Sequence, residues 1–141
     1  MKTELEDRTK EFSVRIVRFI RTFPKTVDGI EVARQLLKAG TSVGANYREA
    51  NRAESKDDFI HKIGISEKEA SETVYWLEIC QSVGHGNFAE IIPLIREANE
   101  LLAIVIAIGR KAKANRRLAR AALASLSLAS FFFLSISLWS L

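Results

Sequence analysis

Apolar residues recur at helical spacing along most of the chain and predict four helices. The first helix is expected from about Leu5 to Phe23, where Pro24 ends it. Its large apolar side chains fall within one narrow arc, as in a helix that packs inside a bundle. The members of this seam are Leu5, Phe12, Ile16, Phe19 and Phe23. Only two prolines and seven glycines interrupt the 141 residues, so the pattern favours an all-α fold.

The second predicted helix begins at Asp28, which forms a capping pair with Glu31, and extends to about Arg52. Gly40 and Gly44 stand four residues apart on one face of this helix. Each glycine costs roughly 1 kcal/mol against alanine in a helix interior, so the pair predicts close approach of a neighbouring helix. The expected apolar side consists of Leu36, Leu37, Gly40, Val43, Gly44 and Tyr47.

The third predicted helix covers residues 56–83, with Ser55 as its N-cap. Its bundle seam is expected to contain Phe59, Ile63, Ser66, Ala70, Thr73, Leu77 and Cys80. Ile65, Trp76 and Ile79 lie nearly opposite that seam. A helix with two apolar faces must bury both, so we expect self-association through the second face, unless a tail or loop covers it.

The fourth helix is expected to be capped by Asn87 with Glu90 and to begin within a few residues of Pro93. Residues 101–108 are apolar nearly all round, which predicts burial by several neighbours. Gly109 and the cations after it are typical of a helix C-terminus. Together the four helices predict an antiparallel up-down four-helix bundle.

The end of the chain differs in character from the rest. We expect a bundle domain over residues 1–113 and a tail over residues 114–141. Residues 121–141 carry no charge and consist mainly of Leu, Ala, Ser and Phe. Three interpretations stay open for this segment: a membrane anchor, a helical extension packed on the bundle or on a sister subunit, and a non-native end.

The net charge of +4 comes from one segment and not from the whole chain. Six cations between residues 110 and 120 contribute +6, which leaves −2 for the remainder. Two rows of cations nevertheless stand out in the first two helices. They are Arg15, Arg18 and Arg21, interleaved with Val14 and Val17, and then Arg34, Lys38, Arg48 and Arg52. An ordinary solvated face and a nucleic-acid contact are open for both rows, and an oligomer contact for the first.

The sequence offers little that indicates catalysis. His61 and His85 are the only histidines, and neither has neighbours at metal-ligand spacing. The Gly-Thr-Ser-Val-Gly segment at 40–44 lacks the preceding strand that a nucleophile elbow requires. We therefore expect no enzyme activity, no metal and no cofactor, and a plain buried thiol at Cys80. The first residues are charged and lack an apolar run, so a cytoplasmic location is expected.

Several stretches carry a family resemblance. They read Gly-Thr-Ser-Val-Gly-Ala-Asn-Tyr-Arg-Glu-Ala at 40–50, Ser-Lys-Asp-Asp-Phe at 55–59 and Lys-Glu-Ala-Ser-Glu-Thr-Val-Tyr-Trp-Leu-Glu at 68–78. Residues 12–20 and 35–37 carry the same resemblance. Over about residues 5–113 the chain closely resembles the bacterial family of small four-helix-bundle proteins encoded within intervening sequences of 23S ribosomal RNA genes.

The resemblance implies an up-down bundle that assembles into a ring-like homopentamer. The accessory variability protein of diversity-generating retroelements looks similar, and acts by binding nucleic acid and a reverse transcriptase. No catalytic residue is carried over, and family members usually stop soon after the basic end of the fourth helix. We expect a non-enzymatic oligomer whose basic faces bind structured RNA. The alternatives are a scaffold that recruits a protein such as a reverse transcriptase, and a bundle tethered to a membrane by its tail.

Overall fold

Four α-helices joined by short connections make up the described chain. The computed structural model describes residues 3–138, with side chains from residue 3 to residue 124. The helices are α1 (Glu4–Ile20), α2 (Val27–Ala50), α3 (Lys56–Val83) and α4 (Phe88–Leu138). Residues 3–138 contain no strand. The predicted all-α four-helix fold is confirmed.

The start of α2 differs from the prediction. Thr26 is the N-cap, since its backbone is extended and its side-chain oxygen accepts a hydrogen bond from the Gly29 N–H at 3.3 Å. Asp28 instead lies in the first turn, where its charge favours the positive end of the helix dipole. Thr26, two residues before Asp28, was therefore a better indicator of the N-cap than Asp28 itself. At the start of α3, the Ser55 side chain accepts from the Asp58 N–H at 3.1 Å, as predicted.

Helix α4 is longer than expected at both ends. It begins at Phe88, where the Asn87 side chain accepts a hydrogen bond from the Ala89 N–H at 3.0 Å, so Pro93 lies inside the helix. The predicted end at Gly109 is wrong, because the helix continues to Leu138. The Ala-, Leu-, Arg- and Lys-rich sequence after residue 109 has high helix propensity. Helix α1, in contrast, ends at Ile20, earlier than predicted.

Successive helices are antiparallel, as the contacts between them show. Along α1, Glu6 bonds Asn51 of α2 at 2.9 Å, while Ser13, further along, bonds the Gly40 carbonyl at 3.2 Å. Along α3, Lys62 pairs with Glu49 of α2, while the Ser66 hydroxyl, further along, donates to the Val43 carbonyl of α2 at 2.9 Å. These pairings show the antiparallel up-down order that short connections require.

The core contains the predicted seams of α1 and α3. Its main cluster joins side chains of all four helices, and consists of Phe12, Ile16, Phe19, Leu36, Leu77, Cys80, Ile91, Leu94, Ala98 and Leu101. A second cluster contains Tyr47, Ala50, Ile63 and Val105. One assignment on α2 is wrong, because Leu37 is 36% exposed and Ala39 is buried in its place. Leu36, Ala39 and Val43 follow the three- and four-residue steps of a bundle seam, and Leu37 lies one residue off that row.

The predicted glycine pair of α2 packs against α1. A Cβ added to Gly40 would lie 3.0 Å from the Ile16 side chain, and one added to Gly44 would lie 3.0 Å from Thr9 Oγ1 and 3.4 Å from the Thr9 backbone. At contacts this short a methyl group fits only if the side chains of α1 shift. The two glycines therefore let the backbones of α1 and α2 approach closely.

The chain divides into two compact units, residues 1–109 and residues 110–141. The first holds the core and all four helix starts. Within the described part of the chain, no helix has the length and the hydropathy that a membrane span requires. Side chains 125–141 lie outside the described residues, so the three interpretations of the tail stay open.

Replacing Gly44 by leucine is expected to lower the free energy of unfolding by about 1–3 kcal/mol, because the side chain must displace Thr9 on α1. Denaturant unfolding followed by circular dichroism measures the change. Gly64 of α3 is the control, since a Cβ there meets nothing within 4 Å. Gly64→Ala is expected to raise stability by up to about 1 kcal/mol. Wild-type stability of Gly44→Leu would contradict the close packing of α1 on α2.

Candidate nucleic-acid interface

A groove runs along the outside of α1 where it lies beside α2. It consists of two depressions that share Lys10 and Ser13. The first is bordered by α2 and is lined by Thr9, Lys10, Ser13, Thr41, Gly44, Ala45 and Arg48. The second, of about 380 Å³, follows α1 and is lined by Lys10, Ser13, Val14, Val17, Arg18 and Arg21. We call the two together the α1–α2 groove.

The helical repeat explains why these side chains share one surface. Lys10, Val14, Val17 and Arg21 are separated by steps of four, three and four, which place them along one stripe of α1. Small residues on α2, including Gly44, keep the floor of the groove open beside this stripe. The stripe spans about 17 Å of helix from Lys10 to Arg21, at roughly 1.5 Å per residue.

The groove is positively charged. Four cations line it, Lys10, Arg18, Arg21 and Arg48, and the side chains described for its lining include no carboxylate. The rest of the compact unit does not share this charge, since residues 1–109 sum to −2. A local excess of cations in an otherwise acidic unit is an electrostatic site for an anion.

Lys10 was missed by the sequence prediction. It lies one turn before Val14 and two turns before Arg18, so the spacing of the row already indicated it. It was overlooked because the predicted row began at Arg15. The structure makes Lys10 the residue that joins the two depressions.

Arg15 faces a different part of the surface. Together with Arg18 it lines a depression between α1 and the start of α4, which also includes Glu90, Pro93 and Leu94. The Glu90 carboxylate lowers the positive potential there. Arg15 is therefore separated from the α1–α2 groove, and Arg18 borders both.

The predicted row on α2 is divided among different environments. Arg34 forms two hydrogen bonds with the Glu31 carboxylate, at 3.0 Å from Nε and 2.6 Å from Nη2. This pairing lowers the pKa of Glu31 to about 2, with a further contribution from Gln35. Arg34 is thus paired with a carboxylate of its own helix. Lys38 is exposed on α2 and lies outside the lining of the groove.

Arg48 and Arg52 lie near the buried carboxylate of Glu6. The hydrogen bond from Asn51 is the main cause of the lowered pKa of Glu6, and the charges of Arg48 and Arg52 add to it. Of the four cations in the predicted α2 row, only Arg48 lines the groove among the described side chains. Arg48 thus lines the first depression of the groove and Arg18 and Arg21 line the second, whereas Arg34, Lys38 and Arg52 line neither.

The predicted oligomer contacts fall on two helices. Val14, 38% exposed, and Val17 line the groove on α1, between the cations. Ile65, Trp76 and Ile79 lie on α3 and are each partly buried. Trp76 packs against the main core cluster, and its ring contacts Tyr75 in an edge-on arrangement at 5.2 Å. The second face of α3 is therefore partly covered within the chain itself.

Two further ionisable groups that lie outside the groove, Asp28 and Cys80, have shifted pKa values. His85 Nε2 lies 2.9 Å from Asp28 Oδ2, and Thr26 and then His85 lower the pKa of Asp28. Burial raises the pKa of Cys80 to about 12, so the thiol stays protonated near neutral pH. Among the described residues, no group of three or more His, Cys, Asp or Glu side chains is arranged to hold a metal ion.

The engagement of Arg34 can be tested by titration of Glu31. The folded pKa of about 2 lies below the usual 4.5, so the stabilising effect of the pair is present above about pH 4.5 and is lost as the pH falls through 2. NMR titration of the Glu31 carboxyl is expected to show a midpoint near 2, and Arg34→Gln is expected to return it towards 4.5. Arg48→Gln serves as the control and should leave the midpoint unchanged. A wild-type midpoint near 4.5 would show that Arg34 is available to another anion.

The chain is similar in sequence and fold to a protein of known structure. A crystal structure of a protein of unknown function from the S23 ribosomal protein family of Bacteroides thetaiotaomicron VPI-5482 is 36% identical in sequence to the chain, with a TM-score of 0.65. The match covers 74% of this chain and 96% of the relative. None of the curated proteins compared with the chain matches it.

The family described as 23S rRNA-intervening sequence protein matches residues 1–107. The matched region contains the whole α1–α2 groove and stops before the basic run that begins at Arg110. Because the match covers most of the sequence, the chain belongs to the family of 23S rRNA-intervening sequence proteins.

Proposed function

We propose that this protein binds structured RNA through the α1–α2 groove, without catalysing a reaction. The observation that carries the proposal is the charge of the lining, in which four cations stand without a carboxylate among the described side chains. The local excess of cations attracts a polyanion although the compact unit as a whole is slightly acidic.

In this proposal the cations contact phosphate oxygens. Arg18, Arg21 and Arg48 can each bind a phosphate in a bidentate manner, while Lys10 acts as a single compact charge between them. Phosphate contacts fix the position of a nucleic acid without reading its bases. Binding therefore depends on the shape of the RNA and weakens as the salt concentration rises.

The family supports an RNA partner. Its description refers to 23S ribosomal RNA, and the relative of known structure is assigned to a ribosomal protein family. The partner in this proposal is ribosomal RNA or a structured fragment of it, and the proposed location is the cytoplasm. Residues 110–120 carry six further cations outside the family match.

We also propose that the chain acts as a homo-oligomer, with a pentamer as the expected form. The support is the pair Ile65 and Ile79 on α3, whose side chains remain partly accessible beside the partly buried Trp76. Several copies of one groove on a ring would bind a single RNA together, which raises the overall affinity without a new contact.

A scaffold that recruits a protein is the second candidate. Large apolar side chains are exposed around the end of the bundle where α2 and α4 begin, including Val27 at 90% and Phe88 at 73% exposure. Such residues are suited to a protein contact and not to phosphates. Nuclease treatment before a pull-down separates the two functions, since an RNA-bridged partner is lost and a directly bound protein stays.

Replacing Lys10, Arg18, Arg21 and Arg48 by glutamine is expected to weaken binding of a 23S ribosomal RNA hairpin by at least tenfold at moderate salt. Four lost phosphate contacts should also reduce the slope of log K against log salt by about 3 to 4. Filter binding across a salt series measures both quantities.

The matched control for this experiment removes four exposed cations elsewhere on the compact unit, Lys25, Lys56, Lys68 and Arg96, by the same change to glutamine. The net charge of the two variants is identical, so a difference between them reports the position of the cations. Equal loss of RNA affinity in both variants would remove the groove as the binding site.

Sedimentation of the full chain is expected to give five times the 15.8 kDa mass of one protomer. Ile65→Lys combined with Ile79→Lys should reduce this mass, because a buried charge opposes association at that face. Leu37→Lys, at an exposed position of α2, is the control and should leave the mass unchanged. A folded monomer of the wild-type chain at every concentration would refute self-association.

A further inference from the structure

The floor of the α1–α2 groove carries hydroxyl groups whose hydrogens are already used. The Ser13 hydroxyl lies 2.9 Å from the Thr9 carbonyl and 3.2 Å from the Gly40 carbonyl, so its one hydrogen is directed to the backbone. The Thr41 hydroxyl lies 2.8 Å from the Leu37 carbonyl in the same way. Both side chains line the first depression.

A hydroxyl that donates inward still has oxygen lone pairs for an outside partner. Ser13 and Thr41 therefore present hydrogen-bond acceptors to whatever enters the groove. A phosphate oxygen is also an acceptor, so it has no favourable contact with this floor unless a hydroxyl gives up its bond to the backbone. The cations Lys10 and Arg48, which line the same depression, attract phosphates instead.

Hydrogen-bond acceptors beside cations fit the sugar-phosphate backbone of RNA, which carries both hydroxyl donors and negative charges. We propose that the floor of the groove receives the ribose side of an RNA strand, with 2′-hydroxyl groups donating to Ser13 and Thr41 while the phosphates contact Lys10 and Arg48. A 2′-hydroxyl can donate a hydrogen bond, and deoxyribose has no corresponding group. This inference rests on the proposed function and adds that the same groove selects RNA by its sugar.

The test compares two versions of one 23S ribosomal RNA hairpin, one with 2′-hydroxyl groups and one with 2′-fluoro groups. Fluorine at this position keeps the A-form geometry and removes the hydrogen-bond donor. The full-length chain is expected to bind the 2′-hydroxyl hairpin about 3- to 10-fold more tightly, the effect of one or two hydrogen bonds. The combined change Ser13→Ala and Thr41→Val should abolish this preference and leave the salt dependence unchanged, because the cations remain.

The matched control is Thr22→Val with Ser82→Ala. These hydroxyls also donate to nearby backbone carbonyls, Thr22 to Phe19 at 2.7 Å and Ser82 to Glu78 at 2.9 Å. Both are exposed and absent from the lining of the groove. The control variant should retain the preference for the 2′-hydroxyl hairpin.

Equal wild-type affinity for the two hairpins would overturn sugar recognition and leave phosphate binding by the cations intact. A preference that persists in the Ser13→Ala, Thr41→Val variant would also overturn it. Absence of binding to either hairpin would refute the proposed function together with this inference. Because the wild-type comparison needs no variant, it decides the question even if the double variant does not fold.

Discussion

The contact between α1 and α2 at Gly40 and Gly44 is the constraint on which the rest of the structure depends. With no Cβ on either residue, Ile16 and Thr9 reach the α2 backbone, and the Ser13 hydroxyl bonds a carbonyl of the neighbouring helix. The same contact determines the outer surface where α1 lies beside α2. Small residues of α2 lie there beside the stripe of longer side chains on α1, and this makes the groove.

The fold followed from the sequence because its strongest signals were local. These signals are the apolar seams at steps of three and four, the N-cap at Ser55 and the two glycines one turn apart. Each favours the same local structure that tertiary packing then stabilises. Helix ends were less predictable. Gly109 looked like a terminus, yet its backbone stays helical beside Ile63, because a missing Cβ serves close packing as well as it serves a left-handed cap.

The candidate site was only partly predictable, because helical spacing places residues on a face without showing what their neighbours do. Arg34 and Arg48 belong to one row in the sequence, but Arg34 has a carboxylate within reach at Glu31 and Arg48 borders the groove. Lys10 was overlooked although its spacing matched. The inward direction of the Ser13 hydroxyl was beyond sequence reasoning, since it depends on the distance to a carbonyl of another helix.

The position of the single cysteine has a practical consequence for work on this protein. Cys80 is fully buried in the main core cluster, and its pKa of about 12 keeps it in the unreactive thiol form. A thiol reagent can modify it only when the helices separate. The rate of labelling would therefore count opening events of the bundle in the native state, with no probe introduced and no change to the sequence.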